Sequence, residues 1–272
     1  MKEFEKVMEA VKFIESKVDI KPEIGIILGT GLSGLGEKIE NKVIIPYKEI
    51  PHFPLSTVET HLGNLVFGKI GNKNVMAMQG RFHLYEGYSP SQVVFPIRVM
   101  KFLGINILIE SNAAGGLNPL FNKGDLVLIV DHINLTGQNP LVGENDERFG
   151  PRFPDMSSPY SPDLIKVTED VAIEEKIPLK KGVLVGLLGP NLETKAEYRF
   201  LKSIGADMVC MSTVIEVIAG VHLGLKILGI SVITDMCLPD ALKPVSFEEI
   251  VEVANSAEPR LTKIIEKVII KL

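Results

Sequence analysis

Short apolar runs rich in β-branched residues alternate along this chain with longer segments whose apolar positions recur at helical spacing. That alternation restricts the available folds more than any other feature. The runs are "IGIILG" (24–29), "INILIE" (105–110), "DLVLIV" (125–130), "GVLVGLL" (182–188), "ADMVCM" (206–211) and "LKILGISVIT" (225–234). Helical spacing marks 90–104, 162–176, 194–205, 213–224 and 246–269. Short runs bounded by turn residues fit strands buried on both faces, which need a largely parallel sheet with helices on each side. The segment "LVFGKIGNKNVMAMQG" (65–80) predicts a hairpin turning at Gly71-Asn72, so the sheet is expected to be mixed. In the last helix, Ser246 followed three residues later by Glu249 is a capping-box pattern, and Pro259 is expected to kink or break the helix. No composition break divides residues 1–272, which are read as a single α/β domain. The loop 136–162 is rich in Gly, Pro and polar residues, and loops of that length usually serve a function or an interface.

Charge and cysteine usage narrow the function. With 29 Lys+Arg against 34 Asp+Glu the net charge is −5, which argues against nucleic acid or an anionic membrane as partner and favours a small molecule. The N-terminal "MKEFEKVMEAVKFIESK" reads as an amphipathic helix rather than a signal peptide, and no apolar run is long enough to span a membrane. Cys210 and Cys237 lie far apart, as expected of free thiols in a reducing, cytoplasmic setting. His52, His61, His83, His132 and His222 form no metal-binding spacing, and there is no G-x-S-x-G elbow. Neither a metal, a cofactor nor a protein nucleophile is expected.

Six stretches carry candidate chemistry. Gly29, Gly31 and Gly34 in "GTGLSGLG" satisfy the dinucleotide-binding G-x-G-x-x-G pattern, with Glu49 about 20 residues on. The context opposes that reading: too few residues follow for a crossover helix, and the next run contains Pro46. A glycine-rich turn bearing Thr30 still suits a bare phosphate, because successive backbone N–H groups form an anion nest. In "GRFHLYEGYSP", Arg81 and His83 alternate, so on extended chain both point the same way, with Tyr85 and Glu86 beside them. An arginine fork fits an oxyanion. "ESNAAGGLNP" places small residues, Ala113 among them, at a strand end, where open α/β sheets hold ligands. Glu193 in "GPNLETKAEY" and Ser212 in "CMSTVIE" mark two further polar strand ends, although Ser212 equally suits a helix cap. "ISVITDMC" ends a buried run on Asp235.

In order along the chain, "GRFHLYEGY", "NAAGGLNP", "DHINLTGQNPL", "ERFGPRFPDMS", "GPNLET" and "GADMVCMSTVIEVI" resemble the signatures of the trimeric purine nucleoside phosphorylases, a group that also includes the methylthioadenosine phosphorylases. The resemblance implies a homotrimer that reversibly cleaves purine nucleosides with inorganic phosphate as co-substrate, giving free base and ribose 1-phosphate for purine salvage. It implies a phosphate site of Thr30, His61, Arg81, His83, Ala113 through its backbone, and Ser212. Tyr85 and Met211 are then ribose contacts, Glu86 orients His83, Glu193 accepts from N1–H of a 6-oxopurine, and Phe153 reaches a neighbouring subunit's site.

Three positions depart from the family pattern. Leu192 stands where an aromatic residue is common, Asp235 where 6-oxopurine phosphorylases carry asparagine, and Phe247 where a histidine contacts the 5′-hydroxyl. Ionised aspartate only accepts hydrogen bonds, so Asp235 favours a 6-amino group or a protonated N7, whereas Phe247 favours an apolar 5′ substituent such as methylthio. Glu193 pulls toward 6-oxopurines. A purine nucleoside phosphorylase of broadened or shifted specificity is the leading expectation, and a 5′-methylthioadenosine or 5′-methylthioinosine phosphorylase the alternative. A nucleosidase, an NAD-dependent oxidoreductase and a non-catalytic nucleoside binder are the remoter ones.

Overall fold

The strand β1 (Ile24–Leu28) has no polar residue and is buried throughout, because parallel strands flank it on both sides, β4 (Lys73–Gln79) and β5 (Ile107–Gly116). Its side chains alternate between two cores: Ile24, Ile26 and Leu28 join one, Ile27 the other. The computed structural model describes residues 2–29, 33–55, 57 and 62–272. The remaining elements are α1 (Glu3–Glu15), β2 (Glu40–Pro46), β3 (Asn64–Ile70), α2 (Pro90–Val93), α3 (Phe95–Phe102), β6 (Leu126–Asn134), α4 (Pro162–Glu174), β7 (Leu179–Gly186), α5 (Lys195–Ser203), β8 (Met208–Cys210), α6 (Val214–His222), β9 (Lys226–Met236) and α7 (Phe247–Lys271). α4 and α7 pack on the core holding Ile24 and Ile26, and α1, α3 and α6 on the core holding Ile27. The result is a single α/β domain with a mixed central sheet.

Nine strands form that sheet among the described residues, in the order β2-β3-β4-β1-β5-β8-β7-β6-β9, and β9 pairs again with β5. The second pairing closes β5, β9, β6, β7 and β8 into a ring. Two bulges bend it. Ala114 pairs with Ile233 but Gly115 with Asp235, leaving Thr234 as the extra residue, and Val130 is extra on β6 in the same way. Bulges re-aim side chains. This one turns Thr234 and Asp235 into a cavity at the rim of the ring.

The hairpin at Gly71-Asn72 forms as expected, with Ile70 opposite Lys73. Two other expectations need correction. β5 runs through "SNAAGG" to Gly116, so that motif is strand and not the loop after one. A Cβ on Gly115 would sit 2.5 Å from Cys237 Sγ, which explains a small residue in a tightly packed strand. α7 continues unbroken through Pro259. Proline inside a helix costs about 3 kcal/mol. The buried stripe of Leu261, Ile264, Ile265, Val268 and Ile269 offsets it, at roughly 1.5–3 kcal/mol for each side chain.

The dinucleotide reading fails on topology. β1 leads toward a short 3-10 turn (Ser33–Lys38), and β2 pairs antiparallel with β3 at the sheet edge, so no parallel crossover follows the glycines. The long loop 136–162 has no helix or strand among its residues before Pro162. Phe149 anchors it in the core against Phe4 and Phe102.

Candidate active site

Chain leaving β4 carries Arg81 into the protein, where it is buried among two acids and a carbonyl. Arg81 Nε donates to Glu216 Oε1 (3.1 Å), Nη1 to the Ser111 carbonyl (2.7 Å) and Nη2 to Glu110 Oε2 (3.1 Å), and Glu216 Oε2 lies 2.9 Å from Nη2. Burial opposes the guanidinium charge, but Glu216 and Glu110 more than offset it and raise the Arg81 pKa. For Glu110, burial first and then Glu216 push the carboxyl well above the usual range, against the lowering effect of Arg81. Glu216, meeting the guanidinium with both oxygens, is the counter-ion.

Two residues on, His83 is fixed by Glu86. The His83 backbone N–H and ring Nδ1 both reach Glu86 Oε1 (2.8 and 2.9 Å), while Thr57 donates its N–H and hydroxyl to Oε2 (2.8 and 2.6 Å). Burial works to raise the Glu86 pKa, yet the bonds from His83 and Thr57 outweigh it and hold it at about 2. A carboxylate only accepts, so Nδ1 carries a ring proton. Tyr85 stacks on the imidazole at 4.6 Å, and burial with the nearby Glu86 pushes its hydroxyl up to about 12.

β8 leads through Met211 and Ser212 into α6. Thr213, not Ser212, is the cap, and its N–H donates to Glu216 Oε2 (2.8 Å). Thr213 has φ +63°, a strained value for a β-branched residue, of the kind found where function over-determines the backbone. Glu216 therefore holds both Arg81 and the start of α6, whose N-terminal dipole favours an anion.

A second cluster is acidic. Thr234 Oγ1 donates to Asp235 Oδ1 (2.9 Å) and Cys237 Sγ to Asp235 Oδ2 (3.2 Å). Burial and the adjacent Asp235 raise the Cys237 pKa, so it remains a thiol. Burial raises the pKa of the Tyr198 hydroxyl, which lines the same cavity as Cys237 and Glu193. Burial, with smaller contributions from Glu197 and Asp235, raises the Glu193 pKa.

Both clusters face one cavity of about 400 Å³. Of the residues singled out in the sequence, it is lined by Arg81, His83, Tyr85, Ala113, Leu192, Glu193, Met211, Ser212, Asp235 and Phe247. Glu86 backs His83 instead of lining the cavity. Phe153 is 86% exposed and borders a different cavity of about 530 Å³, with His132, Arg152 and Met156. Thr30 and His61 lie outside the described residues, although Gly29 reaches the cavity wall. Sequence reasoning missed Glu110, Glu216, Tyr198, Cys237 and Ile250. Glu216 had one signal, an acid inside an otherwise apolar run, and Glu110 a weaker one, an acid at the end of such a run.

Comparison with known proteins gives the family. The sequence profile of the phosphorylase superfamily matches residues 23–270. Purine nucleoside phosphorylase 1 of Bacillus subtilis is 48% identical over 265 residues, covering 97% of this chain and 98% of its own. A Schistosoma mansoni purine nucleoside phosphorylase in complex with adenosine superimposes with a TM-score of 0.94 at 43% identity, covering 98% and 97% of the two chains. A schistosoma purine nucleoside phosphorylase in complex with hypoxanthine gives the same values. By its motifs, its fold and these relatives, the chain belongs to the phosphorylase superfamily and, within it, to the purine nucleoside phosphorylases.

Proposed function

We propose that this chain cleaves purine ribonucleosides and deoxyribonucleosides reversibly with inorganic phosphate, releasing the free base and (deoxy)ribose 1-phosphate without a cofactor. One observation carries the reading: a single cavity joins an oxyanion cluster to an acidic cluster suited to a purine edge. Arg81, His83 and Ser212, with the start of α6 and the Ala113 backbone, receive phosphate. His61 and Thr30 complete that site under the same reading. Tyr85 and Met211 contact the sugar, and Leu192, Glu193 and Asp235 the base. As the glycosidic bond lengthens, positive charge grows on the sugar and negative charge on the base. A phosphate anion beside the sugar and a donor near N7 both stabilise that state. Holding the two reactants together supplies much of the remaining acceleration.

A second reading has an observation of its own. Phe247 and Ile250 line the cavity, and Phe247 is half exposed there, an apolar surface suited to a 5′-methylthio group rather than a hydroxyl. Phosphorolysis rates for inosine, guanosine, adenosine and methylthioadenosine, measured side by side, decide between them. Strong inosine turnover with none on either adenine nucleoside would sink the role given to Asp235. Base release that needs no phosphate would make the protein a nucleosidase.

The proposal includes a cytoplasmic homotrimer in which Phe153 completes a neighbouring site. Its support is the exposure of Phe153 and Val142 beside the second cavity, an apolar surface fit for a partner copy. Sedimentation of the purified protein tests it, and a monomer with full activity would contradict it.

A further inference from the structure

His83 lines the cavity, and the direction of its ring is set by its neighbours. Tyr85 stacks on the imidazole at 4.6 Å, while Glu86 Oε1 meets both the His83 backbone N–H (2.8 Å) and ring Nδ1 (2.9 Å). The ring therefore points where the Glu86 carboxylate holds it. Glu86 sits in the short 3-10 turn Leu84–Glu86 that follows His83, so this grip is local and moves with the turn. What holds the second oxygen decides how rigid the grip is. Among the described residues only Thr57 reaches the carboxylate from outside that turn, its N–H and hydroxyl donating to Oε2 at 2.8 and 2.6 Å.

We propose that Thr57 is a positioning residue for phosphate, its hydroxyl fixing the plane of the Glu86 carboxylate and, through it, the direction of the His83 ring. This rests on the reading that His83 receives phosphate. Four donors share the two carboxylate oxygens, two on each, so turning the carboxylate breaks bonds on both sides at once. Burial opposes the charge, yet the bonds from His83 and Thr57 hold the Glu86 pKa at about 2, so all four are bonds to an ionised group. Such bonds are the strong ones. The Glu86 side chain is only 2% exposed, which leaves little water to replace a donor that is removed.

The hydroxyl can be removed without moving the chain that carries it. Leu55, two residues earlier, is anchored by Tyr88, whose hydroxyl accepts from the Leu55 N–H (3.2 Å) and donates to the Leu55 carbonyl. Tyr88 in turn packs edge-on against the buried Phe82. The Thr57 N–H bond to Glu86 needs no side chain. Thr57 is itself exposed, so a change of its side chain leaves both cores intact.

Steady-state kinetics with inosine and inorganic phosphate test the role. Thr57→Val keeps the branched shape and the N–H, so KM for phosphate should rise about tenfold, the low end for a hydrogen bond to a charged group. KM for inosine at saturating phosphate should change by less than about twofold, because the residues given to sugar and base are not held by Glu86. Thr57→Ser returns the hydroxyl without the methyl and should restore the wild-type KM for phosphate. In a Glu86→Gln background, adding Thr57→Val should raise that KM by less than about twofold more, since the two act as one unit. An unchanged phosphate KM in Thr57→Val, equal rises for phosphate and inosine, a defect that serine does not restore, or additive effects with Glu86→Gln would each overturn the proposal. His83→Ala separates the two levels. If it leaves the phosphate KM unchanged, the reading of His83 itself is wrong. If it raises that KM while Thr57→Val does not, only the role given to Thr57 is wrong.

Discussion

Arg81 is held by two buried glutamates, and the charge assignment makes their removal unequal. Glu216 meets the guanidinium with both oxygens and also accepts the Thr213 N–H at the start of α6. Glu216→Leu leaves a buried cation without its counter-ion, a loss of about 3–5 kcal/mol. The lost cap adds roughly 1 kcal/mol. For a chain of this size the sum lowers the melting temperature by on the order of 10 °C. Glu110 meets the guanidinium with one oxygen only, so Glu110→Leu should cost less, roughly 1.5–3 kcal/mol, the effect of one hydrogen bond to a charged group. A pH series sharpens the comparison. The Glu110 pKa is raised on folding, so its stabilising contribution is complete below the unfolded glutamate pKa and is lost as pH rises toward the folded value. Wild type should therefore lose stability relative to Glu110→Leu above about pH 4.5. Thermal unfolding of both variants from pH 4 to 8 is the assay. Equal losses for the two at pH 7 would refute the assignment of Glu216 as the counter-ion.

Three further outcomes follow from the site. Asp235→Asn supplies a side chain that both donates and accepts, so inosine turnover should rise relative to adenosine, as competing-substrate assays would show. Phe247→His replaces an apolar wall with a hydrogen-bonding one and should raise activity on inosine relative to methylthioinosine by a factor of about ten. The Glu86 pKa is lowered to about 2, so its contribution to stability is complete above the ordinary value of 4.5 and is lost as pH falls through 2. The stability gap between wild type and Glu86→Gln should be full at pH 7 and close between those limits in acid-unfolding curves.

Local pattern carried much of this structure, and non-local pairing the rest. "IGIILG" was legible as a strand because a strand flanked by parallel neighbours has no polar position. The end of β5 was not, because alanine and glycine look like loop until Cys237 is seen packed against Gly115. Ring closure through β5 and β9 depends on a bulge at Thr234 that no spacing announces. In the site, Arg81 and His83 were legible because alternate residues on extended chain face one way, and both reach the cavity. Glu110 and Glu216 read as ordinary acids until the fold brings them to one guanidinium from residues far apart in sequence. Tyr198 and Cys237 are likewise far apart along the chain, and only α5 packing beside the end of β9 joins them.

The central claim is that the oxyanion cluster of Arg81, His83 and Ser212 serves phosphate as a reactant. Release of hypoxanthine from inosine, followed with and without inorganic phosphate while the sugar product is identified, tests it most directly. The account predicts release that depends on phosphate, with one ribose 1-phosphate formed for each base. Equal release without phosphate, yielding free ribose, would contradict it.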